Sequence, residues 1–190
     1  MTTDVILLWD NQLLFEKLFL EKNLKCTRII SSAIGTPYLP ACNCIIIPTG
    51  FANIEYTKIL SGIEGNKAKL ERYIKKGGVL CVFGPMVNRY EFEWIPMNIS
   101  YVQKHEATLI QKRGTHAAQS IIKDFSNIVE HDGHFLNVDE KYIILKNSNN
   151  NPVMVVKEFG EGLIILTTIH EVPSIDFLGW LVERGKNIKI

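Results

Sequence analysis

Four runs of consecutive apolar residues constrain this chain most: Val5–Trp9, Cys44–Ile47, Val79–Phe83 and Leu163–Leu166, none longer than five residues. A short run without polar alternation suits a strand covered on both faces, as parallel strands are when helices pack on either side. The same shortness is too little for a membrane span or for the apolar part of a secretion signal, and the opening MTTD lacks a basic start. The expectation is therefore a cytoplasmic protein without a membrane partner. With 21 Lys+Arg against 20 Asp+Glu, the formal charge is +1 and supplies no field to gather nucleic acid. Apolar residues at 46% and charged residues at 22% over 190 positions fit one ordinary globular domain, residues 1–190.

Helical patterns separate the early runs. In Gln12–Asn23, Leu14/Leu18 and Phe15/Phe19 recur at i,i+4, and in Asn66–Lys76, Leu70 and Ile74 share one face before Gly77-Gly78. Cys26–Ile30 reads as a further strand. Residues 86–137 have weak periodicity, with a helix expected over Thr115–Phe125. Tyr142–Leu145, Val153–Phe159 and Leu163–Ile169 have the spacing of an antiparallel meander, and Ser174–Glu183 that of a capped helix. Together these patterns predict a three-layer, flavodoxin-like (Rossmann-like) α/β domain. Its sheet would be mostly parallel, with helices on both faces and an antiparallel extension near the C-terminus.

Open parallel sheets bind ligands beyond the carboxyl ends of their strands. That rule selects Asp10 and Asn11, Ser31 and Ser32, Pro48-Thr49-Gly50, Phe83-Gly84-Pro85, and His170-Glu171. Each has a plain structural alternative: Asp10 as a helix cap, Gly50 and Gly84 as turn residues, His170 as a loop hydrogen-bond partner. The cysteines, Cys26, Cys42, Cys44 and Cys81, lie in or beside apolar segments and read as core thiols.

Three segments carry a resemblance. Ile45–Gly50 (IIIPTG) resembles an apolar strand ending in Pro-Gly-Gly. Leu70–Gly84 (LERYIKKGGVLCVFG) looks like a helix, a Gly-Gly stop and a strand leading into a nucleophile elbow. Phe159–Glu171 (FGEGLIILTTIHE) is similar to a Gly-x-Gly turn and a final strand that ends in a catalytic His. In this order they resemble the class I glutamine amidotransferase-like superfamily, especially its biotin-ligase N-terminal-like and trehalose-utilisation-like branches. The resemblance implies a Cys at the elbow, a His base with a carboxylate, and backbone amides forming an oxyanion hole. Here the elbow falls at Phe83 or Gly84, Cys81 lies earlier on the strand, and Thr49 replaces the first Gly of the pair. A degenerate active site follows, without classical glutaminase activity, in which His170 and Glu171 occupy the catalytic positions.

His131-Asp132-Gly133-His134 sets two imidazoles and a carboxylate within four residues, a spacing that suits a metal, although Asp-Gly also signals a turn. Tyr90, Phe92, Trp94 and Pro96, with Met86 and Met97, form an aromatic stretch that reads as a lid, a subunit contact or core packing. The leading expectation is a domain without a cofactor that binds a small ligand or a protein partner, a second copy included, through Asp10, Asn11, Thr49, Gly50, Phe83 and Gly84. The alternative is a hydrolase using His170, Glu171 and Asp10, or a metal-dependent one using His131, Asp132 and His134.

Overall fold

The computed structural model describes residues 2–170 and 173–190. Strands β1 (Val5–Leu8), β2 (Cys26–Ile29), β3 (Cys44–Ile47) and β4 (Val79–Val82) form where the apolar runs predict them. They pair in parallel, joined by β10 (Gly162–Thr167) alongside β4. Successive side chains in these strands enter opposite cores. Val5, Leu7, Cys44, Ile46, Val79, Cys81, Leu163 and Ile165 enter one. Ile6, Leu8, Ile45, Ile47, Leu80, Val82, Ile164 and Leu166 enter the other. The first core is closed by Phe19 of helix α1 (Phe15–Glu21) and by Phe177, Leu178 and Leu181 of α4 (Ile175–Arg184). The second is closed over the parallel strands by α2 (Ile59–Gly65) and α3 (Lys67–Lys75).

The remaining strands overturn the expected flavodoxin-like, Rossmann-like sheet. Strands β5 (Arg89–Glu91), β6 (Ser100–Lys112), β7 (Ile128–Leu136), β8 (Ile143–Asn147) and β9 (Pro152–Phe159) are joined antiparallel, giving one mixed ten-stranded sheet of order β2-β1-β3-β4-β10-β9-β8-β6-β5, with β7 on β6. Among the described residues there are only four α-helices. The physical reason lies in residues 86–137, where β6 is largely wet and β7 buries the polar His131 and Asp132, so neither shows a strand's apolar pattern. A 3₁₀ turn, Ala117–Ile121, stands where a helix was expected, capped by His116 instead of Thr115. The antiparallel part is thus no C-terminal extension; it starts mid-chain and builds about half the sheet.

The aromatic stretch is core rather than lid or subunit contact. Phe92 and Trp94 are buried and pack with Phe51, and Phe92 also meets Phe135 of β7. Among the described residues, no helix is long and apolar enough to cross a membrane.

Candidate ligand cleft

The register Leu7–Ile46, Ile47–Val82 and Leu166–Val82 brings the carboxyl ends of β1, β3, β4 and β10 close together at one edge. The segments leaving them line a cleft of about 430 Å³: Gln12–Phe15 after β1, Pro48 and Thr49 after β3, Phe83 after β4 and His170 after β10. Its walls are mostly apolar. The Phe83 ring, buried at the base, meets Phe15 edge-on at 5.8 Å. Leu14 stands on the rim with 78% of its surface exposed. Gln12, Thr49 and His170 add the polar groups.

Of the residues selected from sequence, Pro48, Thr49, Phe83 and His170 meet in this cleft, and Asp10 does not. Nor does Asp10 cap α1. One carboxylate oxygen accepts from the Ser31 amide at 2.8 Å; the other accepts from the Thr57 hydroxyl and the Lys58 amide, each at 2.7 Å. Burial alone would raise this carboxyl, but those hydrogen bonds outweigh it and hold the pKa at about 2. The side chain is a pin between loops, with its lone pairs already engaged. The exposed Asn11 donates to the Tyr56 carbonyl at 3.4 Å. Gly50, at φ +92°, lies against Tyr56, and its amide donates to the Gly84 carbonyl at 2.7 Å. That amide is therefore unavailable to an oxyanion, which needs free, aimed donors. Glu171 lies outside the described residues.

Cys81 is fully buried on β4 in the first core, where burial pushes its thiol well above the ordinary range. A mid-strand thiol in an apolar core is no nucleophile.

Sequence reasoning missed the use made of Asp132. The segment His131–His134 is not a turn but the heart of β7, antiparallel to β6 across Val102–His134, Gln103–Gly133 and Glu106–His131. Gly133 is there because a Cβ would stand 2.3 Å from the Val102 carbonyl oxygen. Lys104 and His105 sit where the β6–β7 register shifts, as at a bulge. Asp132 is only 1% exposed, beneath Gly84, whose missing Cβ would otherwise lie 2.4 Å from both carboxylate oxygens. The Tyr101 hydroxyl donates to the Asp132 carbonyl at 2.8 Å and lies 3.3 Å from Oδ1, while Oδ2 has no hydrogen-bond partner among the described residues. Burial raises this carboxyl to about 7 against the opposing hydrogen bonds. The nearest basic group to Oδ2 is His170 Nδ1 at 4.0 Å, on a ring that is 42% exposed. His105 meets that ring edge-on at 6.1 Å between centroids.

The two histidines of the motif do not join Asp132. His131 is buried, its Nδ1 3.1 Å from the Gly133 carbonyl and its Nε2 3.3 Å from the Thr108 hydroxyl. Burial lowers the pKa of both His131 and His134. Among the described residues no group of three or more His, Cys, Asp and Glu side chains is placed to hold a metal.

No family model and no curated protein matches the chain. In fold it is similar to PurLQS from Thermotoga maritima, with TM-score 0.65, 10% identity and coverage of 96% of this chain and 99% of that one. It is also similar to the cytoplasmic protein STM1381 from Salmonella typhimurium LT2, with TM-score 0.57, 10% identity and coverage of 96% and 100%. A third likeness, to β-galactosidase from Bacillus circulans sp. alkalophilus, has TM-score 0.53 and 11% identity; this chain is 96% covered but spans only 30% of that one. At such identities the likeness is one of fold alone. The sequence resemblance to the amidotransferase-like superfamily is accordingly overturned: no family model supports it, and these neighbours are described as a galactosidase, PurLQS and an STM protein. The occupied Gly50 amide and the elbow Phe83 agree with that correction.

Proposed function

We propose that this chain is a ligand-binding domain whose site is the cleft between Gln12–Phe15, Pro48-Thr49, Phe83 and His170. The observation that carries the reading is the composition of that cleft: apolar walls with a few polar groups converging at the strand ends. Its volume of about 430 Å³ suits a small molecule with an apolar body. Asp10 contributes as the pin that shapes the rim, and Gly50 and Gly84 contribute through the hydrogen bond that closes it. A cytoplasmic setting is part of the proposal, supported by the description of the STM1381 neighbour.

A thermal-shift screen of small apolar alcohols, amides and acids against the wild-type protein tests the reading, with Leu14→Asp as the control. Because Leu14 is exposed on the rim, the substitution is expected to leave folding within about 0.5 kcal/mol of wild type. Compounds that stabilise the wild type and not L14D support the cleft. Hits equally effective on both proteins place the binding elsewhere and refute it.

A further inference from the structure

The cleft brings one ionisable ring to its rim, and the fold places a carboxylate behind that ring from a distant strand. Asp132 lies on β7 and His170 just after β10; the two segments are tied by backbone hydrogen bonds from the Asp132 amide to the Thr168 carbonyl at 2.9 Å and from the His170 amide to the Glu130 carbonyl at 3.0 Å. Both residues are therefore held by main chain, and their side chains meet by construction. Asp132 Oδ1 and its own carbonyl face the Tyr101 hydroxyl, so one edge of the carboxylate is taken. Among the described residues Oδ2 is buried with no hydrogen-bond partner, an arrangement that costs stability. Gly84 leaves open the space this carboxylate occupies.

The distance of 4.0 Å from Oδ2 to His170 Nδ1 is within ion-pair reach and about 1 Å longer than a hydrogen bond. Asp132 from β7 and His105 from β6 are titratable groups beside the ring, and Glu130 of β7 accepts the His170 amide through its carbonyl.

We propose that Asp132 is a positioning residue for His170: its buried carboxylate holds the ring with Nδ1–H inward, so that Nε2 faces the cleft and accepts a hydrogen bond from a hydroxyl or amide group of the ligand. This names the polar half of the ligand and rests on the cleft being its site. The apolar walls take the body of the molecule, and the imidazole takes its donor.

The test reads the ring directly. Long-range proton–nitrogen NMR spectra of the nitrogen-15-labelled chain, assigned with His170→Gln, report which ring nitrogen of neutral His170 carries the proton. The expected result is an Nδ1–H ring in the wild type. In Asp132→Asn the tautomer ratio is expected to fall about tenfold towards Nε2–H, the size of one hydrogen bond to a charged group. His105→Ala is expected to leave the ratio unchanged. An Nε2–H ring in the wild type overturns the proposal even if D132N fails to fold, and so does an unchanged ratio in D132N. Cyclohexanol is then compared with methylcyclohexane. Cyclohexanol is expected to shift the His170 Nε2 resonance and methylcyclohexane is not; binding of cyclohexanol in the cleft without that shift refutes the ligand half. If neither compound reaches the cleft while the ring is Nδ1–H, the cleft reading fails and the Asp132–His170 pair stands.

Discussion

The Gly50 amide donates to the Gly84 carbonyl across 2.7 Å, stitching the turn after β3 to the turn after β4. In this chain these two turns are closed on one another, and Phe83, just after β4, is buried beside them. The edge is left as an apolar cleft with one imidazole on its rim.

Gly84 and Asp132 should be energetically coupled. A Cβ at Gly84 would stand 2.4 Å from both carboxylate oxygens, so Gly84→Ala is expected to cost about 2–3 kcal/mol. Shortening the side chain with Asp132→Ala should relieve part of that cost. Urea unfolding of both single variants and the double variant measures the coupling; costs that add within about 0.5 kcal/mol would show that the two groups do not touch.

Asp10 should mark the acid limb of stability. Its folded pKa of about 2 lies below the ordinary 3.8, so the folded state binds its proton less readily than the unfolded chain. Its contribution is complete above about pH 4 and is lost as the pH falls towards 2. Asp10→Ala, which removes three accepted hydrogen bonds, should lower stability at pH 7 by on the order of 2 kcal/mol and flatten the curve between pH 4 and 2. Denaturation midpoints at a series of pH values check both effects.

Asp132 should act with the opposite sign. Its folded pKa, raised from 3.8 to about 7, means that the folded state holds a proton that the unfolded chain has released. Stability from this group is full below pH 4, declines as the pH rises through 7, and is then flat. Asp132→Asn, neutral at every pH, should lack this decline, so its melting temperature relative to wild type should be higher at pH 8 than at pH 4. A difference between the two proteins that does not change between pH 4 and pH 8 would contradict the raised carboxyl.

The thiols should be silent in the native protein. Cys42, Cys44 and Cys81 are fully buried, and burial pushes Cys42, like the half-buried Cys26, up to about 12. A thiol reagent at pH 8 is expected to label the native chain slowly and all four cysteines after unfolding. Rapid native labelling at Cys81 would reopen the question of a nucleophile.

What the sequence made legible followed from how evenly each segment is buried. Val5–Leu8, Cys44–Ile47 and Val79–Val82 are apolar throughout because both cores claim their side chains, so they read as parallel strands from composition alone. Helix α2 was hidden by Gly62 and Gly65 in a seven-residue segment. β6 was hidden because much of its surface is wet and its register shifts between Gln103 and Glu106, and β7 because it buries the polar His131 and Asp132 on its own strand. Asp132-Gly133 has turn chemistry, yet Gly133 serves the approach to Val102, a contact that exists only after folding. Asp10 reads in sequence as a ligand residue or as a cap of the next helix, whereas its partners Ser31, Thr57 and Lys58 lie 21 to 48 residues away. Pro48, Thr49, Phe83 and His170 come together in one cleft because strand ends converge in any parallel sheet; Gln12–Phe15 complete the cleft from a segment read as helix.

The central claim is that the cleft is the binding site. Protein-detected NMR with fragments selected by the thermal-shift screen maps it most directly. The account predicts shifts concentrated at Leu13, Leu14, Phe15, Thr49, Phe83 and His170, lost in L14D. Shifts confined instead to the separate pocket around Ile121, Ile122 and Val129, or persisting unchanged in L14D, would contradict it.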